Sequence, residues 1–322
     1  MSPPRVLVLT AGLGTRLRPL TYVRAKAAVP VNGEPLARRV ARWLAAHGFR
    51  DQVFNLHHHP QSIAACLGDG ADLGVRLRYS WEQAVLGSGG GPRHALPLLT
   101  DGGAERFLIV NGDTLTNVDL EALLASHVRS GALVTMALIP NPAPDKYGGV
   151  VVNSSGSEHA RPEGRAYGTG YVSGFSRRGT VPESLHFIGV QVVEARAFLE
   201  LEDGVPAESV GVLYPSLIAR DPRAVGAFVS DATFHDIGTP ADCLRTSLVL
   251  ADTEGLRRAG RGGRIARSAV VERSTLWDDV TVLPHARLTE CIVADGVTIP
   301  EGAVFERSAI VRDTDGLLVH PL

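Results

Sequence analysis

The strongest constraint on what this chain can fold into lies near its carboxyl end. There, a small residue followed two places later by an apolar one recurs at Ser268, Ser274, Val280, Ala286, Cys291, Val297, Ala303 and Ser308. The steps between them are 6, 6, 6, 5, 6, 6 and 5 residues. A period of about six residues predicts a β-solenoid, because each repeat makes one flat face and neighbouring coils bury a shared core. Short strands of a sandwich have no reason to hold that period. At three faces per coil the segment builds only about two to three coils, and its two ends call for cover from the rest of the chain or from a second copy. GRGGR at 260–264 reads as the linker into it.

Upstream the texture is different. Apolar or β-branched runs occur at 6–10, 52–56, 75–80, 106–111 and 132–138. Between several of them lie helix-like stretches, 35–47 with Leu36, Val40, Trp43 and Leu44 on one face, and 119–129 with Leu120, Leu123, Leu124 and Val128. Strands alternating with amphipathic helices predict an α/β domain built on a mainly parallel sheet covered on both faces. Ligands of such sheets collect at the carboxyl ends of the strands. The expected division is an α/β domain over 1–258 and a solenoid over 265–314, in keeping with the length of 322 residues.

Charge excludes some partners. With 32 Lys+Arg against 34 Asp+Glu, the chain has no basic surplus for nucleic acid or an anionic membrane surface. Within the basic set only Lys26 and Lys146 are lysines. Cys66, Cys243 and Cys291 are too few and too widely spaced for a disulfide framework or a CxxC metal site, so reduced thiols and a cytoplasmic location are expected. The apolar run Val6 to Leu9 is too short for a signal peptide or a membrane span and reads as a buried first strand.

The segment after that strand, LTAGLGTRLRPLTYVRAKAAVPVNGEPL at 9–36, is the richest in chemistry. A glycine turn lets backbone N–H groups approach phosphate oxygens. It is not a P-loop, since no Lys-Ser or Lys-Thr follows Gly14, and the third glycine of a dinucleotide fingerprint is replaced by Leu17. Arg16 and Lys26 supply a planar fork and a compact point charge, a combination suited to holding a polyphosphate.

AGLGTRLRPLT, Lys26 and VPVNGEPL together resemble the signature of sugar-1-phosphate nucleotidylyltransferases, the NDP-sugar pyrophosphorylases. The resemblance continues through EQAVLGSGGG (82–91), VNGD (110–113), DKYGG (145–149), FIGVQV (187–192), YPSLIA (214–219) and FHDIGTPADCL (234–244) into the hexapeptide tail. It is nearest to members resembling mannose-1-phosphate guanylyltransferases, with N-acetylmuramate-1-phosphate uridylyltransferases as neighbours. It implies a Rossmann-like nucleotidyltransferase domain followed by a short left-handed β-helix, through which copies of the chain can associate. The implied reaction joins a nucleoside triphosphate to a sugar 1-phosphate, releases pyrophosphate and uses Mg²⁺; GTP with mannose 1-phosphate is the leading pair. Uridylyl or thymidylyl transfer to glucose, GlcNAc or MurNAc 1-phosphate is the alternative, and a non-catalytic NDP-sugar-binding subunit a further one.

The resemblance also implies roles. Ala11, Gly12, Gly14 and Thr15 contact the nucleotide, Arg16 the β- and γ-phosphates, and Lys26 the phosphates at the reacting centre, while Gly87 belongs to the nucleotide loop. Glu82 lies where the family reads the base, and a carboxylate there favours guanine over uracil or thymine. Asp113 and Asp236 are implied metal ligands, and with Arg16 and Lys26 Asp113 completes the catalytic set. On the sugar side Lys146, Gly148, Arg178 and Gly189 are candidates. Here the chain departs from relatives carrying Phe-x-Glu-Lys-Pro: Phe175 is followed by Ser176, Arg177 and Arg178, so Arg178 stands in for the phosphate-binding lysine and the sugar-hydroxyl glutamate has no counterpart. The Asn that often precedes Ala-Gly-Ile is also absent from His186-Phe187-Ile188-Gly189. His57, His58 and His59 alternate in direction along an extended strand and are not expected to converge on a metal. His285 is not expected to serve acyl transfer, because so short a solenoid does not build that site.

Overall fold

The computed structural model describes residues 3–160, 166–181, 183–256, 259–314 and 316–322. Contacts divide the chain into two compact units that do not follow chain order: Met1–Ala11, Val40–His57 and Gly68–Phe234 in one, and Gly12–Arg39, His58–Leu67 and His235–Leu322 in the other.

The first unit is organised by a nine-stranded sheet. Its order is Arg76–Trp81, Asp51–Leu56, Arg5–Leu9, Arg106–Asn111, Leu185–Glu194, Val134–Pro140, Val225–Val229, Ala166–Ser176 and Gly149–Ala160. The first four strands run parallel. Leu185–Glu194 enters antiparallel to both its neighbours, and Val134–Pro140 and Val225–Val229 are again parallel to each other. This is a Rossmann-like α/β arrangement with a mixed, mainly parallel sheet. Val6, Leu7 and Val8 are fully buried, as a central strand covered on both faces requires.

Six α-helices occur among the described residues: α1 Leu36–Ala46, α2 Pro60–Leu67, α3 Gly87–Leu99, α4 Leu120–Ser130, α5 Tyr214–Arg220 and α6 Pro240–Glu254. Helix α4 shows why its boundaries fall where they do. The Asp119 carboxylate accepts the Ala122 N–H at 2.8 Å, and Gly131 closes the helix at φ 64°. Helix α3 was not expected from its run of glycines and two internal prolines; it persists because Gly89, Gly90, Gly91, Pro92, Ala95, Leu96 and Leu99 are buried. No described helix is long and apolar enough to cross a membrane.

In the second unit the C-terminal repeat forms three short parallel sheets. Arg264 pairs with Thr281 and Thr281 with Thr298, Val270 with Arg287 and Arg287 with Val304, Thr275 with Ile292 and Ile292 with Ala309. Each partner lies 17 residues on, so two steps of six and one of five complete one coil. Leu276, Val282, Leu288, Val293, Ile299 and Ile310 fill its interior. Both ends have cover: Gly260 N–H donates to the Leu276 carbonyl at 2.9 Å where the chain enters, and Gly316–Pro321 runs antiparallel to Ser308–Asp313 where it leaves. His285 is an exposed corner residue at φ 62°.

Leu288 is fully buried in this coil. Leu288→Ala is expected to cost about 3 kcal/mol, read as a lowered denaturant midpoint of the full chain.

Candidate active site

At the carboxyl edge of the sheet the first unit arranges a buried polar network. Glu82 follows the strand Arg76–Trp81 and is 1% exposed. One of its oxygens accepts from Asn55 Nδ2 at 2.7 Å and the other from the Leu86 N–H at 2.9 Å. The Asn55 Oδ1 in turn accepts the backbone N–H groups of Thr10, at 2.5 Å, and Ala11, at 3.3 Å. Gly91 leaves room for the pair, since a methyl there would stand 2.8 Å from Glu82 Oε1 and 3.0 Å from Asn55 Nδ2. The base contact expected of Glu82 is therefore corrected. Its carboxylate is turned into the protein, and its visible work is to set the chain at Thr10 and Ala11. Asn55 sits inside a run read only as a strand; a polar residue at a buried strand position was the available signal.

Gly87 also takes its meaning from packing. It has φ +76°, and a methyl would meet the Ala207 carbonyl oxygen at 2.7 Å. That carbonyl accepts the N–H groups of Gly89 and Gly90 at 2.8 and 3.2 Å, so the start of α3 is occupied by the 205–208 segment.

Asp113 is placed by its neighbours. The Gly112 N–H donates to the Leu9 carbonyl at 3.0 Å, and a side chain at Gly112 would strike Thr10 at 2.6 Å. This turn holds the half-buried Asp113 just beyond the ends of Arg5–Leu9 and Arg106–Asn111. Gly189, at φ +76°, gives Asn111 the space beside the same turn, with a methyl coming within 2.7 Å of Asn111 Nδ2.

Two exposed turns carry the remaining sugar-side candidates. The Gly179 N–H donates to the Pro144 carbonyl at 3.0 Å, which sets the turn of Arg178 against that of Lys146. Lys146 Nζ lies 5.1 Å from the centre of the Tyr147 ring. Tyr147, His186 and Phe234 form a cluster with ring centres 4.4 to 5.6 Å apart. His186 Nε2 is buried without a hydrogen-bond partner. Burial drives this imidazole down to about 4, against the rise due to its hydrogen bond with the Gly148 backbone.

The second unit contains Gly12, Gly14, Thr15, Arg16, Lys26 and Asp236. Leu17 and Leu20 are fully buried and pin the glycine segment. Gly12, Thr15 and Arg16 are exposed. Gly14 turns left-handed at φ 61°, its carbonyl accepts the Leu17 N–H at 2.9 Å and the Thr21 hydroxyl at 3.0 Å, and a methyl there would stand 3.1 Å from Lys26 Cβ. Further along the chain, a methyl at Gly238 would lie 2.9 Å from Asp236 Oδ2, 3.2 Å from Arg16 Nη1 and 3.3 Å from Asp242 Oδ2. A fork of donors and a hard carboxylate thus flank one side-chain-free position. Thr239 caps α6 by accepting the Asp242 N–H at 3.1 Å, so Asp236 is not the cap.

Other candidates fall away. His57 hydrogen-bonds the Glu82 carbonyl, and His58 the Thr21 carbonyl. All three cysteines are free thiols, and burial pushes Cys66 up to about 11 and Cys243 up to about 12, which keeps them protonated and poor nucleophiles.

Residues 5–163 match the family described as nucleotidyl transferase. The chain is 29% identical over 312 residues to the mannose-1-phosphate guanylyltransferase of Mycobacterium tuberculosis, covering 94% of this chain and 82% of that one. It is 35% identical over 218 residues to the N-acetylmuramate alpha-1-phosphate uridylyltransferase of Neisseria meningitidis serogroup B, covering 66% of this chain and 83% of the other. Among solved structures, HddC from Yersinia pseudotuberculosis shares the fold with a TM-score of 0.63 at 19% identity, over 77% of this chain and 99% of that one.

The His186 environment has a pH consequence. Its imidazole titrates near 4 in the folded chain and near 6.5 when released, so the unfolded state binds more protons between those values. Stability from this site is present above about pH 6.5 and is lost as pH falls toward 4. Thermal unfolding of wild type is expected to drop more than that of His186→Phe between about pH 7 and about pH 4.5.

Proposed function

Because the chain belongs to the nucleotidyl transferase family and is a sugar-1-phosphate nucleotidylyltransferase, we propose that it converts GTP and mannose 1-phosphate to GDP-mannose and pyrophosphate. The observation that carries this choice is the similarity to a mannose-1-phosphate guanylyltransferase over 94% of the chain, tail included. Glu82 no longer contributes to it. The second reading, uridylyl transfer to N-acetylmuramate 1-phosphate, is favoured by the higher identity of 35% over the shorter match. The proposed division remains a catalytic domain over 1–258 and a short left-handed β-helix over 265–314, and three free thiols support a cytoplasmic setting.

In this reading a phosphate oxygen of the sugar 1-phosphate attacks the α-phosphorus of the nucleotide. The new P–O bond forms as the bond to the β-phosphate oxygen breaks, and pyrophosphate leaves. The nucleophile is already an anion, so the residues have to bring polyanions together rather than move a proton. Exposed Arg16 offers a planar fork to the β- and γ-phosphates, and Lys26 a point charge at the reacting centre. Gly12, Gly14 and Thr15 are assigned to present backbone to the nucleotide, and Ala11, whose N–H donates to Asn55 Oδ1, is assigned to it as well. Lys146 and Arg178 are assigned to the sugar phosphate, with Gly148 beside them.

Relatives in this family generally use a divalent metal. Among the described residues no group of three or more His, Cys, Asp or Glu side chains makes a ready cage. Magnesium takes one or two carboxylates and completes its shell with phosphate oxygens and water, and Asp113 and Asp236 are the carboxylates that the family pattern proposes for it. When bound, it would neutralise charge on the phosphates.

Pyrophosphate release measured across GTP, UTP, dTTP, ATP and CTP with mannose, glucose, GlcNAc and MurNAc 1-phosphates tests the reading; the GTP and mannose pair is expected to be fastest. Turnover with UTP and MurNAc 1-phosphate alone would transfer the assignment to the second reading, and binding without turnover would mark a non-catalytic subunit. Lys26→Ala is expected to lower kcat by about 100-fold or more with an unchanged circular dichroism spectrum.

A further inference from the structure

We propose that Arg24 is a positioning residue through which the C-terminal coil sets the glycine segment carrying Arg16 and Lys26. The inference rests on the nucleotidyl-transfer reading of that segment and adds to it a part for the tail.

The geometry lies wholly within the second unit. Arg24 Nε donates to Asp295 Oδ2 at 2.6 Å and Nη2 to Asp295 Oδ1 at 2.6 Å, a two-pronged hold on one carboxylate. Nη2 also donates to Asp278 Oδ2 at 2.8 Å. Asp278 and Asp295 occupy the same place on successive coils, and the Asp278 N–H donates to Asp295 Oδ1 at 3.0 Å. The guanidinium carbon stands 5.4 Å from the ring centre of Trp277, itself 2% exposed. Arg24 therefore reads two coils at once, through bonds that depend on the direction of the fork and not only on its charge.

The other side of Arg24 leads straight to the loop. The next residue, Ala25, donates its N–H to Ser62 Oγ at 2.9 Å, and its carbonyl accepts the Ala28 N–H at 2.8 Å, closing the turn that Lys26 opens. Three residues before Arg24, Thr21 holds the Gly14 carbonyl, and Gly14 rests against Thr21 and Lys26 Cβ. A shift of Arg24 thus reaches Lys26 through two peptide bonds and Gly14 through Thr21. Holding a reacting geometry is sensitive to such shifts, since about 1 Å of misplacement costs about 100-fold in rate.

The test uses the full-length chain with Arg24→Ala, Arg24→Lys, Asp295→Ala and the Arg24→Ala/Asp295→Ala double variant. Expected for Arg24→Ala is a fall in kcat of about tenfold or more, with KM for the sugar 1-phosphate nearly unchanged. Arg24→Lys should recover only part of it, because an ammonium cannot span both carboxylates in the fork geometry. The double variant should be no worse than the more damaged single one, as expected of two groups acting through one contact. Hydrogen exchange should rise across residues 12–28 while the nine-stranded sheet keeps its protection. Wild-type kcat in Arg24→Ala, additive losses in the double variant, or exchange rising evenly over the whole chain would each overturn the proposal. If the wild-type chain turns over none of the substrate pairs, the nucleotidyl-transfer reading fails, and unchanged exchange at 12–28 in Arg24→Ala then overturns the coupling by itself.

Discussion

A carboxylate taken out of water has to be satisfied by the protein, and the way Glu82 is satisfied orders much of the first unit. Its two oxygens hold Asn55 on the neighbouring strand and the backbone at Leu86. Asn55 passes that constraint to Thr10 and Ala11 at the end of Arg5–Leu9. Removing one member leaves buried donors without acceptors, a cost of about 1–3 kcal/mol for each group. The network explains why Gly91 leaves no room for a side chain. It is also a case in which a residue placed for recognition by family pattern turns out to work through its neighbours.

The glycine segment in the second unit is equally far from a free loop. Leu17 and Leu20 are buried, Thr21 ties back to Gly14, and Ala25 is held by Ser62. Flexibility supplied by glycine at Gly14 is thereby spent on one left-handed turn. What stays exposed is the short stretch with Gly12, Thr15 and Arg16, so the segment combines a rigid base with an open face.

Much of this architecture is legible in the sequence. The strands at 5–9, 51–56, 76–81 and 106–111 and helices α1 and α4 follow the apolar runs closely, because alternation and caps are local. The coil was legible for the same reason, its steps of six and five adding one face at a time. Strands at 149–160, 166–176 and 185–194 lack that local signal: the first two form a Gly- and Ser-rich antiparallel pair with register irregularities, and 185–194 pairs with 106–111 and 134–140, far back in the sequence. Helix α3 was hidden by its glycines, which serve the close approach of Ala207 and Glu82. Arg16, Lys26 and Asp113 are proposed from motif alone, whereas Asn55, Gly238 and Arg24 carry no motif and acquire meaning only from what they touch.

The reversal of direction at the end of the tail has a consequence of its own. A parallel coil is open-ended: each turn offers the next one the same ladder, and nothing in the period itself says where to stop. Here Gly316–Pro321 returns antiparallel along Ser308–Asp313, and the Leu322 N–H donates to the Arg307 carbonyl at 2.8 Å. The hydrogen-bond spacing offered beyond that strand no longer matches a seventeen-residue turn. On that face the repeat is converted from a growing lattice into a counted object, ended by the strand that returns along it.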